Sequence, residues 1–182
     1  LTSRRVREAF DVESEEAVTR DSYGMHTFGQ SALVARRLVE RGVTFVTVNC
    51  VPWDHHGSSN RYQTEEGSNL LIPPLDVAIS GLIEDLERRG LYEDTMVIAM
   101  GEFGRTPRMN KYAGRDHWGR TFSVLVGCGG MSMGQVVGRS NPHGAHVVNR
   151  PISPEDVAAT VYHHLGIDVE NTTFDDLLGR PI

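Results

Sequence analysis

The sequence predicts an α/β fold, a layered sandwich in which a mostly parallel sheet is covered by helices. Two observations carry this expectation. Short β-branched apolar runs alternate with amphipathic helical segments, and the first two such runs are separated by a helical stretch long enough to be a crossover. A third observation sets the scale: the 182 residues contain no internal repeat and no low-complexity linker, so a single domain over residues 1–182 is expected.

Each element has its own signal. Residues 29–42, GQSALVARRLVERG, place Leu33, Leu38 and Val39 near one helical face and end on Gly42, a common helix stop. VTFVTVN (43–49) is β-branched and apolar on both faces, as a strand covered on two sides would be. In LLIPPLDVAISGLIEDLERRG (70–90), Leu75, Ile79, Leu82, Ile83 and Leu86 recur at helical spacing, with Pro73 and Pro74 expected in the first turn, where proline is tolerated. TMVIAMG (95–101) and TFSVLVG (121–127) read as buried strands, and GQVVG (134–138) as a short fourth. SPEDVAATVYHHLG (153–166) is a helix with Ser153 as N-cap, Pro154 at its first position, Asp156 closing the cap and Gly166 as its stop.

Composition narrows the function classes. With 39% hydrophobic and 23% charged residues the chain is an ordinary globular protein, and no segment is apolar for the 18 or so residues that a membrane span requires. A net charge of −6 repels nucleic acid on average, although locally dense arginines could still form anion sites. Cys50 and Cys128 lack CxxC spacing and read as free thiols rather than a disulfide or a zinc–thiolate site. The chain starts at Leu1 in a charged, helix-prone segment, and is expected to be part of a longer protein.

In an open parallel sheet, ligands collect beyond the carboxyl ends of the strands. The loops expected there are VPWDHHGSSN (51–60), GEFGRTPRMN (101–110) and GRDHWG (114–119), which offer Asp54, His56, Glu102, Asp116 and His117 as candidate metal ligands. Carboxylate oxygen and imidazole nitrogen are mixed donors that suit a divalent cation without any cysteine. The Asp-X-His spacing lets Asp54 and His56 point to one side of an extended loop, better than Asp54 and His55. Asp116 and His117 are adjacent and need a backbone turn to converge, which Gly114 and Gly119 would permit. Arg105, Arg108, Arg115 and Arg120 crowd the same loop and could recognise a tetrahedral anion, since a guanidinium fork matches the oxygens of a phosphate or sulfate, with Arg105 the first choice and Arg115 the second candidate for a catalytic role; the alternative is salt bridging to Glu102 or Asp116 or a solvated face. Trp53 and Trp118 flank the two ligand pairs as possible walls, His143 is a further imidazole candidate, and His26, His163 and His164 read as structural.

Together, WDHHG, GEFGRTPRMN, GRDHW and RPISPEDVAATVYHHLGID resemble the carboxy-terminal part of an uncharacterised sulfatase-like bacterial family, a domain of unknown function in the alkaline phosphatase superfamily, from about Tyr23 to Gly166. The resemblance implies an alkaline phosphatase-like fold present as a truncated portion and a metal-dependent hydrolase of small phosphate or sulfate esters. It also implies a divalent cation (zinc, manganese, calcium or iron), a nucleophile contributed from an amino-terminal part, and an exported or periplasmic setting. Asp54 and His56 match its W-D-x-H-G motif, Glu102 and Arg105 its G-E-F-G-R motif, and Asp116 with His117 its D-H pair. His55 stands where a small polar residue is expected, which leaves open which histidine is the ligand. The competing expectation is a non-catalytic binding or surface-associated protein that keeps the fold without turnover.

Overall fold

A computed structural model describes residues 3–50, 52–58 and 61–181. These residues divide into two compact units, 1–133 and 134–182, each considered by itself.

The first unit begins with α1 (Arg4–Arg7), two 3-10 turns (Glu8–Phe10 and Val12–Ser14) and α2 (Ala17–Ser22). It continues through α3 (Thr27–Glu40) to the long α4 (Thr64–Arg88). The imidazole of His26 caps α3, its Nδ1 accepting from the Gly29 amide at 3.0 Å, and Gly42 follows the helix in the left-handed region at φ +84°. Helix α4 starts earlier than the apolar periodicity implies, so Pro73 and Pro74 lie inside it rather than in its first turn.

The α2–α3–α4 packing has a small apolar centre, Tyr23, Ala32, Leu33 and Ala78, backed by Val12, Phe28 and Leu82. Beside it lies a buried ionic network. Arg36 is fully buried and stands 2.8 Å from Asp85, 3.0 Å from Glu15 and 2.8 Å from Glu40. Asp85, itself 1% exposed, also accepts from Tyr23 Oη at 3.0 Å, Arg88 at 2.5 Å and Arg89 at 2.9 Å. Arg37 pairs with Glu15 and donates to the carbonyls of Ala9 and Glu8, both at 2.8 Å. Charges taken from water are tolerated when opposite charges and hydrogen bonds surround them, and here α3, α4, the first 3-10 turn and the residues on either side of α2 contribute those partners.

After a 3-10 turn (Tyr92–Asp94) come β1 (Val97–Ala99), β2 (Gly104–Arg105), β3 (His117–Trp118) and β4 (Leu125–Gly127). Strands β1 and β4 pair antiparallel, with Val97 opposite Gly127 and Ala99 opposite Leu125. The connection between them carries the antiparallel β2–β3 pair, with Gly104 opposite Trp118 and Arg105 opposite His117.

The second unit holds an antiparallel pair, β5 (Arg139–Ser140) with β6 (Val147–Asn149), and α5 (Pro154–His164). Helix α5 has the reciprocal cap read from its sequence: the Ser153 hydroxyl accepts from the Asp156 amide at 3.2 Å, and the Asp156 carboxylate accepts from the Ser153 amide at 2.8 Å.

The layered parallel sandwich is therefore corrected. Five α-helices and three two-stranded antiparallel sheets make up the regular structure of the described residues. The run 43–49 is not a strand and joins no ladder, and Phe45 is 69% exposed. Runs 95–101 and 121–127 do contain strands, but they pair with each other in antiparallel sense rather than with a strand before α4. The fourth run, 134–138, is not a strand; β5 begins just after it. The reason is physical: β-branched composition marks a pleated, half-buried segment but does not encode its partner or direction. Here the connection 100–124 folds back on itself and returns the chain beside β1, which produces an antiparallel pair. No helix among the described residues is long and apolar enough to cross a membrane.

Candidate functional site

Segments 52–66 and 101–120 meet without the parallel strands expected to align them. The amide of Arg115 donates to the His55 carbonyl at 2.8 Å, the amide of Thr64 to the Ala113 carbonyl at 3.0 Å, and Asn110 Nδ2 to the His56 carbonyl at 3.0 Å. Asn110 also accepts from the amides of Tyr112 (2.9 Å) and Gly114 (3.1 Å), so one side chain folds its own loop and holds the neighbouring one. The two backbones approach too closely for a side chain between them. A Cβ on Gly114 would lie 2.1 Å from the His56 carbonyl carbon, and one on Gly57, at φ +72°, would lie 2.2 Å from the Tyr112 oxygen. Gly114 thus serves close approach; the left-handed residue of that turn is Ala113, at φ +56°.

At this junction the Asp54 carboxylate and the His56 imidazole face each other in a short contact between Oδ1 and Nδ1. Arg105 Nη1 stands 3.1 Å from Nδ1 and 3.3 Å from Nε2 of that ring, and its Nη2 lies 3.7 Å from Asp54 Oδ1. Arg61 reaches the other Asp54 oxygen at 3.1 Å. Partial burial would raise the Asp54 pKa, but the His56 hydrogen bond and charge, with Arg61, hold it below the ordinary carboxylate value. The His117 ring packs 4.7 Å from that of His56, and Phe103 packs 4.1 Å from His117 on the other side. A depression of about 310 Å³ opens beside the cluster, lined by Pro52, Asp54, Arg61, Tyr62 and Glu66.

Of the five candidate ligands, Asp54, His56 and His117 are brought together. Glu102 is exposed at the start of its loop. Asp116 is exposed and its carboxylate accepts from Asn110 at 3.0 Å, while its carbonyl accepts from the Thr106 amide at 2.9 Å. Among the described residues, no group of three or more His, Cys, Asp or Glu side chains could hold a metal ion. The donor types suit a divalent cation, but the donors gathered here do not complete a site for one.

The two candidate arginines have different environments. Arg105 faces the Asp54–His56 pair, whereas Arg115 donates to the carbonyls of Thr106 (2.6 Å) and Pro107 (2.7 Å) and braces the loop. His55 and His56 are likewise separated by environment. His55 is buried next to α4, where a Cβ on Gly67 would stand 2.3 Å from its ring, and its Nε2 has no hydrogen-bond partner. Burial, then the Arg105 charge, lower its pKa. Sequence reasoning missed Asn110 and Arg61. An Asn in a glycine-containing turn was a readable signal for the first; an Arg seven residues beyond Asp54 carried none for the second.

The chain belongs to a family of proteins of unknown function, DUF1501, whose match spans residues 2–182. That match carries no sulfatase-like or alkaline phosphatase superfamily assignment, so the resemblance drawn from the motifs is corrected to membership of DUF1501 alone. No curated protein and no solved structure matches the chain.

Proposed function

We propose that the Asp54–His56–Arg105–His117 cluster is the anion-handling part of a metal-dependent hydrolase of phosphate or sulfate esters. The observation that supports it is the placement of the Arg105 guanidinium against both the Asp54 carboxylate and the His56 ring, on two loops joined by backbone hydrogen bonds. Arg105 would bind the ester oxygens and draw away from His56 as the anion enters. Asp54 would hold the proton on Nδ1 and orient the ring, leaving Nε2 to accept a proton from an attacking hydroxyl or water. The donors gathered here do not complete a metal site, so metal dependence requires ligands other than this cluster; a cation held by such ligands would supply Lewis-acid polarisation of the ester.

The test combines elemental analysis with turnover of aryl phosphate and aryl sulfate by the protein, supplied with zinc, manganese, calcium or iron. Turnover that falls about 100-fold or more in Asp54→Asn and in Arg105→Gln supports the reading, the magnitude expected for losing one preorganised group. No turnover of either ester with any of the four ions overturns it. A second reading, a binding protein without catalysis, draws on the same Arg105 guanidinium, which can hold an anion without any turnover. Binding of inorganic phosphate or sulfate that is lost in Arg105→Gln, with no turnover, would select that second reading.

A further inference from the structure

The exposed cations of residues 101–120 are not explained by an ester-sized site. This segment holds Arg105, Arg108, Lys111, Arg115 and Arg120 against only Glu102 and Asp116, in a chain whose net charge is −6. Arg105 faces Asp54 and Arg115 is committed to two carbonyls. Arg108, Lys111 and Arg120 are exposed. Two of them lie over aromatic rings, Lys111 at 4.9 Å from the Tyr112 centroid and Arg120 at 5.5 Å from that of Trp118. A ring beneath a cation restrains it without neutralising it, so the charge stays available to a further anion. The segment thus concentrates positive charge on a protein that is otherwise acidic, with Arg108 and Lys111 in the loop that joins β2 to β3 and Arg120 just beyond β3 at the other end of the pair.

The depression on the other side of Asp54 has the opposite character. Its walls combine the carboxylates of Asp54 and Glu66 with Arg61, Tyr62 and Pro52. Carboxylates accept hydrogen bonds from hydroxyl groups and repel a continuous phosphate backbone, while a tyrosine and a proline offer apolar surface to a ring.

We propose that the 101–120 hairpin is a docking arm for a polyanionic carbohydrate, a polysaccharide bearing sulfate or phosphate esters. Its anionic groups meet Arg108 and Lys111 in the connecting loop and Arg120 beyond β3, and its uncharged sugar hydroxyls meet the Asp54–Glu66 depression. This rests on the proposed ester-directed site only in that Arg105 would receive the reacting group; the docking itself needs no turnover. DNA is the poorer fit, because it has no sugar hydroxyls to donate to the carboxylates of the depression.

The test is the affinity of the chain for heparin, a sulfated polysaccharide, across a salt series, with Arg108→Gln/Lys111→Gln/Arg120→Gln as the informative variant. Arg5→Gln/Arg7→Gln/Arg139→Gln removes the same number of exposed cations elsewhere and controls for net charge. Wild type and control are expected to bind alike, and the hairpin variant about tenfold or more weakly with a shallower dependence of log K on log salt. An unchanged far-UV spectrum and melting temperature in the hairpin variant would show that the fold is intact. Three results overturn the proposal: no heparin binding by wild type at low salt, equal losses in both triple variants, or tighter binding of a single-stranded oligonucleotide of matched charge. Ester turnover with normal heparin binding in the hairpin variant removes the docking arm and leaves the hydrolase reading standing. Heparin binding without turnover does the reverse.

Discussion

Two regions of the first unit are built from the same materials, arginine and carboxylate, and use them to different ends. Between α2, α3 and α4, Asp85 is 1% exposed and is surrounded by Arg36, Arg88, Arg89 and the Tyr23 hydroxyl. At the junction of the two loops, Asp54 is partly exposed and is approached by His56, Arg61 and Arg105. In the first region Arg36 and Asp85 at its centre are removed from water and depend on the charges around them, so the network specifies how the helices pack. In the second, the groups are open to solvent beside a depression and can exchange a protein partner for a ligand. Burial, rather than residue type, separates a structural ionic cluster from a candidate functional one.

The largest expected effect breaks the first region. Asp85→Ala leaves Arg36 buried without the most deeply buried of its carboxylate partners, and should cost about 3–5 kcal/mol in urea unfolding, the usual penalty for removing one partner of a buried pair. Asp54→Ala should cost about 1 kcal/mol or less, as for solvent-accessible ion pairs. Similar losses in the two variants would abolish the distinction drawn between the regions. Next in size is Gly114→Ala, where the added methyl meets the His56 backbone and overpacking should cost about 1–3 kcal/mol. It should also remove anion binding, because the loops can no longer close on each other. Retained phosphate or sulfate affinity in Gly114→Ala would show that the junction does not assemble the cluster.

Much of this was legible in the sequence, and the boundary is instructive. Helices α3 and α5 could be read from periodicity and caps because the groups that form them lie within a few residues: His26 aside, Gly42, Ser153, Pro154 and Asp156 all act locally. The pairing of β1 with β4 could not be read, since it depends on how residues 100–124 return. The ionic network was equally hidden. Arg36, Arg37, Arg88 and Arg89 look like the solvated faces of amphipathic helices, and only the convergence of Glu15, Glu40 and Asp85 from three segments makes burial tolerable. At the site, Asp54 and His56 meet because they lie two residues apart, and the His56 amide also donates to the Asp54 carboxylate at 3.3 Å. The partition of work between Arg105 and Arg115 is tertiary: it depends on which carbonyls the 106–115 turn leaves unpaired.

The smallest effect is the one that pH exerts, and it sharpens the comparison because the two regions titrate in different windows. Asp85 and Glu15 have folded-state pKa values below their ordinary 3.8 and 4.5, because hydrogen bonds and charges from Arg88, Arg89, Arg36 and Arg37 outweigh burial. Their contribution is complete above those ordinary values and is lost only as pH falls through the lower folded ones. His55 is depressed below its ordinary 6.5, by burial and then by the Arg105 charge, with Asp54 opposing. Its neutral form stabilises the folded loops fully above 6.5, and that contribution begins to be lost as pH falls below 6.5, whereas that of Asp85 and Glu15 begins to be lost only below their own ordinary values. The molecule carries its own reporters for the two events. Both tryptophans, Trp53 and Trp118, lie in the loop region, and Trp53 is 6.0 Å from the His55 ring, whereas far-UV circular dichroism follows the helices. On acidification, tryptophan fluorescence should therefore change below pH 6.5 while the helical signal holds until below about pH 4, and His55→Phe should remove the early step. A single coincident transition would mean that the loops and the helices are one cooperative structure, and that the buried network and the open cluster cannot be perturbed independently.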